Sequence, residues 1–201
     1  MANQNAVTGL SPVGTSTGAT FNEQGRLYAI GNDSSNTYAI GDIVKSTVGC
    51  DATGIPLITK AAATDTPLGV IVGIRPANPG VSLAGTNINL AQLWVPLSNG
   101  NYSYAYVVDD PSVVFEVQAN TAVTTTTAVG STAVPAITAN QTSTLAQSSP
   151  FSATYITSFD ATPTSTSMFQ VVGVNQSPDN TLGAYNKVLV QWNKHQFFGG
   201  F

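Results

Sequence analysis

Threonine is the commonest residue of this chain, at 26 positions, while the residues that normally solubilise helix surfaces are scarce: four lysines and two glutamates. β-Branched residues favour extended backbone. Eleven prolines, spread from Pro12 to Pro178, leave room for a long helix only in a Thr/Ala-rich part. A mainly helical fold is therefore excluded. Ser, Thr, Asn and Gln fill 70 of the 201 positions and charged residues only 8%, against roughly 25% in an average soluble domain. With 42% apolar residues, a chain of this length can bury one good core or two small ones.

The formal net charge of -4 provides no basic face for phosphates, so neither nucleic acid nor an anionic membrane is expected as a partner. The opening Met-Ala-Asn-Gln-Asn-Ala has no positive region followed by an apolar block. No run approaches the ~18 consecutive apolar residues of a membrane span, so neither a secretory signal nor a transmembrane helix is expected. A single cysteine, Cys50, rules out an internal disulfide and fits assembly in a reducing cytoplasm.

The few charges are unevenly placed. None precedes Glu23 apart from the terminus, none lies between Arg75 and Asp109, and none between Glu116 and Asp160. An isolated protein normally scatters its charges. Such neutral stretches point to surface covered by other protein, although Ser, Thr and Asn can also solvate ordinary loops.

Residues 1–26 carry Val7, Leu10, Val13 and Phe21 singly among Gly, Ser and Thr, without helical or strand periodicity. They read as an extended N-terminal arm with a reach of about 85 to 90 Å. Residues 27–201 read as a single β domain of short antiparallel strands, a β-barrel or a jelly-roll-like β-sandwich. Alternation predicts strands over 102–108 and 113–118, with others at 39–46, 55–59, 69–74, 153–159, 169–174 and 187–193. Residues 87–97, the turn Ser98-Asn99-Gly100-Asn101 and the tyrosine strand form a hairpin candidate, because Asn-Gly accepts positive φ. Residues 119–150 form a low-complexity insertion, with four threonines at 124–127, and are expected to be extended.

Little in the chain resembles catalytic machinery. The single histidine, His195, has no Gly-x-Ser-x-Gly elbow beside it and reads as a hydrogen-bonding residue at the end of the last strand. Gly49 and Asp51 supply Cys50 with neither a base nor a positive field. Asp109 and Asp110 precede Pro111 and read as a turn whose first Asp bonds backbone amides, with a calcium site as the alternative. No catalytic residue, cofactor site or metal motif is expected. Four Asn-x-Ser/Thr sequons, starting at Asn32, Asn101, Asn140 and Asn175, match the about 3.5 that composition alone produces and carry no information. The row Tyr102, Tyr104 and Tyr106, with Trp94, reads as a core or interface stripe, or as a platform for sugar rings.

Residues 38–74, YAIGDIVKSTVGCDATGIPLITKAAATDTPLGVIVGI, contain a Gly-Asp-Ile-Val strand at Gly41 to Val44 and Leu-Gly-Val-Ile-Val-Gly at Leu68 to Gly73. With residues 106–120, YVVDDPSVVFEVQAN, and 169–196, FQVVGVNQSPDNTLGAYNKVLVQWNKHQ, these blocks span about 80 of 201 residues. The chain thereby resembles the capsid cement or decoration proteins of tailed-bacteriophage heads. The segments 1–26 and 119–150 lie beyond the shared blocks. The resemblance implies a non-enzymatic virion protein on the outside of the capsid, assembled in the host cytoplasm, whose partner is the major capsid protein. It transfers no catalytic residue. A homo-oligomer, dimer or trimer, is expected on the capsid, anchored through Leu10, Val13 and Phe21 of the arm and Phe197, Phe198 and Phe201 of the tail. The alternative is a receptor- or glycan-binding module of a phage fibre.

Overall fold

A computed structural model describes residues 3–22, 24–31, 36–75, 102–123, 128–137, 151–160 and 162–198, with the backbone of Trp94 and Val95. All regular elements among them are strands. Five close into a small barrel in the order β2 (Arg26–Ile30), β5 (Pro56–Lys60), β4 (Ile43–Cys50), β6 (Gly69–Arg75) and β8 (Ser103–Val108). Alternation explains its filling: Tyr28 and Ile30, Val44, Ile58, Ile71, and Ala105 and Val107 form one buried apolar cluster. The β2–β5 pair is parallel, a departure from the antiparallel expectation.

A six-stranded antiparallel sheet accompanies the barrel. Its order is β1 (Ser11–Thr15), β9 (Val113–Gln118), β13 (Lys187–Trp192), β12 (Phe169–Val174), β10 (Thr132–Ala136) and β11 (Tyr155–Asp160). The sheet curls: Ala119, just beyond β9, bridges Ile156 of β11, and the Asn120 amide donates to the Ile156 carbonyl at 2.9 Å. Its inner face carries Phe115, Val117, Phe169, Val171, Val188, Val190 and Trp192, with Phe169 stacked on Trp192 at 4.8 Å and Phe115 edge-on to it at 5.4 Å. Ile43, Val70 and Val108, from barrel strands, belong to the same cluster, so barrel and sheet share one core. The fold is all-β and barrel-containing. A jelly roll pairs two four-stranded sheets, and these pairings do not form one.

The N-terminal segment is not a free arm. Leu10 is 1% exposed within the shared core, and Ser11–Thr15 pair with β9 along one edge of the sheet. Residues before Leu10 are held by amide side chains. Asn3 Nδ2 donates to the Thr181 and Ala184 carbonyls, the Thr181 amide donates to Asn3 Oδ1, and Gln118 bonds both the Ala6 amide and Asn5. Polar composition hid this attachment because its bonds are made by Asn and Gln.

The segment also passes very close to Gly41. A Cβ on Gly9 (φ +72°) would lie 2.6 Å from Ser152 Cβ and 2.7 Å from the Gly41 carbonyl oxygen; one on Gly41 (φ +89°) would lie 2.8 Å from the Thr8 carbonyl oxygen. The next residue, Asp42, is buried and ion-paired with buried Lys60 at 2.9 Å, while Ser152 Oγ donates to its other oxygen. Gly-Asp-Ile-Val is thus a crossing point, an ion pair and two core residues in succession.

One further expectation is corrected. β8 has both edges filled, by β2 and β6, so it cannot form a hairpin with the segment preceding it. Trp94–Val95 (β7) instead pair with Tyr38–Ala39 (β3), and the remainder of 87–101 lies outside the described residues. Within 119–150, Thr132–Ala136 are a sheet strand, and Val123 and Ala128 lie in the core. That part is integral to the fold, and 124–127 and 138–150 fall outside the description.

Candidate functional site

Most of the chemically interesting side chains are engaged in holding the fold. Burial pushes the Asp51 carboxyl up, but bonds from the Tyr104 hydroxyl at 2.7 Å, the Ile55 amide and Thr53 outweigh it and bring the group down to about 2. Burial, and then Asp51, push Tyr104 upward. The tyrosine row is thereby divided: Tyr104 is fully buried, while Tyr102 and Tyr106 are 43% and 38% exposed. The Trp94 side chain lies outside the described residues.

The Asp109-Asp110-Pro111 turn forms with the roles exchanged. Asp110 accepts the Ser112 amide at 2.8 Å, whereas Asp109 accepts the Tyr28 hydroxyl at 2.7 Å and pairs with Arg26 at 3.1 Å. Burial, reinforced by Asp109, pushes Tyr28 up to about 12. His195 lies three residues past the end of the last strand and is hydrogen-bonded there: Nδ1 accepts the Phe197 amide at 3.1 Å. Its ring lies among Trp192, Phe197 and Phe198, and burial pushes its pKa down. Cys50 is exposed at the end of β4. Among the described residues, no three His, Cys, Asp or Glu side chains gather as metal ligands would.

The expected anchor residues separate into three kinds. Leu10 belongs to the chain's own core and is not available to a partner. Phe21 is half-buried against that core, and Val13 is 43% exposed. Phe197 and Phe198 are exposed at the C-terminal end, and Phe201 lies outside the described residues.

Two concave surfaces flank the loop that follows β1. On the outer face of the six-stranded sheet, a hollow of about 520 Å³ is lined by Val13, Val114, Val172, Leu189, Gln191 and the Thr15–Thr20 loop. None of its described lining residues is charged. On the other side, a cleft of about 720 Å³ lies between that loop and the barrel, with Phe21, Arg26, Tyr106, Asp109 and Asp110 on its walls. A second compartment of about 450 Å³ beside Pro12 and Ile40 shares Phe21, Val72 and Tyr106 with it.

The hollow went unread in the sequence, yet a signal existed. Val113-Val114, Val171-Val172 and Val188-Leu189-Val190 are apolar at consecutive positions, so each strand has an apolar residue on its outer face as well as its core face. Comparison of the chain with protein-family models, curated proteins and solved structures returns no match.

Proposed function

We propose that this chain is a non-enzymatic virion structural protein, a cement or decoration protein that sits on the outside of a phage head and joins neighbouring major capsid subunits. The observation that carries the reading is the charge-free hollow on the six-stranded sheet. Val13 and Val172 remain 43% and 41% exposed there, among threonines, a serine and a glutamine. Covering such a face removes apolar area from water without stripping solvent from a charge, a step that would cost several kcal/mol per ion. The resemblance of residues 38–74, 106–120 and 169–196 to phage head proteins supports the same partner. Exposed Phe197 and Phe198 supply a second apolar contact, and two contacts per copy strengthen attachment through effective concentration. A dimer or trimer on the capsid surface fits this mode of binding.

The test places a charge in the hollow. Val172→Asp is expected to retain the wild-type melting temperature, because the side chain already faces water, and to lose most of its occupancy on sedimented phage particles. Full occupancy of the folded variant would overturn the reading.

A further inference from the structure

We infer that the cleft between the post-β1 loop and the barrel is a binding site for a neutral oligosaccharide. This goes beyond the capsid reading and does not depend on it, since the charge-free hollow lies on the other side of the Thr15–Thr20 loop.

The cleft is built around Tyr106. A Cβ on Gly25 would come within 3.3 Å of the Tyr106 Cβ, so this glycine leaves room for the residue to pack, while the backbone of Gly73 faces it at ordinary contact distance. Tyr106 is held between paired neighbours, opposite Leu27 on β2 and Gly73 on β6, and still remains 38% exposed. A fixed, partly open aromatic ring is the surface on which the apolar C–H face of a sugar stacks at little entropic cost. Phe21 and Val72 extend that apolar floor and line both compartments of the groove. At about 720 and 450 Å³, the two compartments fall within the range of about 300 to 1,000 Å³ usual for small-ligand sites.

The walls match the rest of a sugar. Its hydroxyls both donate and accept, and the cleft offers both: the Asn22 and Gln24 amides, the Thr15 and Thr20 hydroxyls, and the Asp109–Arg26 pair. Among the described lining residues, the carboxylates of Asp109 and Asp110 outnumber the one guanidinium, a formal charge of -1 that disfavours phosphorylated, sulfated or sialylated ligands. An extended peptide would seek an open strand edge. Here the floor strand β8 has both edges paired, and the wall strand β1 contains Pro12, which has no N–H to donate.

The experiment titrates the full chain with defined neutral hexasaccharides (malto-, cello-, chito- and manno-oligosaccharides) and with heparin-derived and sialylated oligosaccharides, followed by calorimetry and saturation-transfer NMR. At least one neutral series is expected to bind and the anionic ones are not. Tyr106→Ala is expected to weaken binding by about tenfold or more, and Asp110→Asn to weaken it too. Tyr102→Ala, just before the same strand and not lining the cleft, is expected to bind like the unaltered chain. Melting curves establish that each variant is folded. Absence of binding by every neutral series, preference for the anionic ligands, or equal loss in Tyr102→Ala and Tyr106→Ala would overturn the site. Binding of uncharged peptides in place of sugars would overturn its assigned ligand class.

Discussion

The two ends of the described chain are alike in being poor in charge: residues 3–22 carry none, and beyond Trp192 only Lys194 is charged among the described residues. Their attachments differ. At the N-terminal end, Leu10 fills the shared core, Ser11–Thr15 pair with β9, and Asn3, Asn5 and Ala6 are tied to residues 118, 181 and 184. Beyond β13, His195 turns inward while Phe197 and Phe198 stay 46% and 57% exposed. The difference lies in what receives the backbone. A strand edge and a row of amide side chains accept the N-terminal segment, whereas no strand pairing extends past Trp192, and the chain there is held at single points, by the Gln196 amide donating to the Pro67 carbonyl and the Ser46 amide donating to Gln196 Oε1. One end is thus paired and buried, and the other is tethered with its last described aromatic rings left open.

The largest effect that could break this contrast is at the crossing of Gly9 and Gly41. Gly41→Val adds about 1 to 2 kcal/mol of left-handed backbone strain to a steric conflict with the Thr8 carbonyl oxygen and Leu10 amide, whose backbone cannot retreat without opening β1. The variant is expected to be unfolded or to release its N-terminal segment, read by rapid proteolysis near residue 10. Wild-type resistance would mean that the crossing is not structural. Next in size is Leu10→Ala, expected to cost about 2 to 5 kcal/mol in denaturant unfolding, as for other buried leucines. An arm would lose almost nothing from the same change. Deleting residues 1–26 removes both β1 and Leu10, so it measures folding before it measures attachment.

The strands were the legible part of this molecule. Val113, Phe115 and Val117 are buried at 2%, 0% and 1% as alternation requires, and β9 and β12 fall on their expected boundaries. Pairing was less legible, because a strand's own pattern does not name its neighbour. The expected hairpin with the tyrosine strand is excluded because β2 and β6 fill both of its edges, while Asn99 and Gly100 themselves lie outside the described residues. The attachment of the N-terminal segment is not legible in the sequence, because Asn3, Asn5 and Gln118 make specific bonds that no hydrophobic period reports. Of the candidate site, Val13 and Phe21 could be named, but the hollow and the cleft could not, since each gathers residues more than 80 positions apart.

A smaller, pH-dependent effect separates the ends further. Burial lowers the folded-state pKa of His195 below its ordinary 6.5, so the unfolded chain takes up the proton first as pH falls. Its contribution to stability is complete above pH 6.5 and declines below that value until the folded-state pKa is passed. His195→Gln is expected to remove this part of the acid dependence of the melting temperature, in buffers between pH 7.5 and about 5. An unchanged slope would show that the imidazole is already solvated. The N-terminal segment has no histidine and no acid before Glu23, so over the same interval its amide attachments contribute no slope.

The smallest stability effect belongs to the exposed aromatics, and its smallness makes it informative. Phe198→Ala removes a ring that is 57% exposed and meets His195 edge-on at 5.7 Å, so the expected cost is about 0.5 kcal/mol or less. Leu10→Ala and Phe198→Ala both truncate a large apolar side chain, and they differ chiefly in whether the chain itself covers that side chain. If Phe198 serves a partner, Phe198→Ala should leave the melting temperature nearly unchanged and lower particle occupancy, the reverse of a purely structural residue. A loss of stability comparable to Leu10→Ala would place Phe198 in the fold. An unchanged occupancy would leave the sheet hollow as the sole contact, with Val172→Asp then expected to account for the whole loss of attachment.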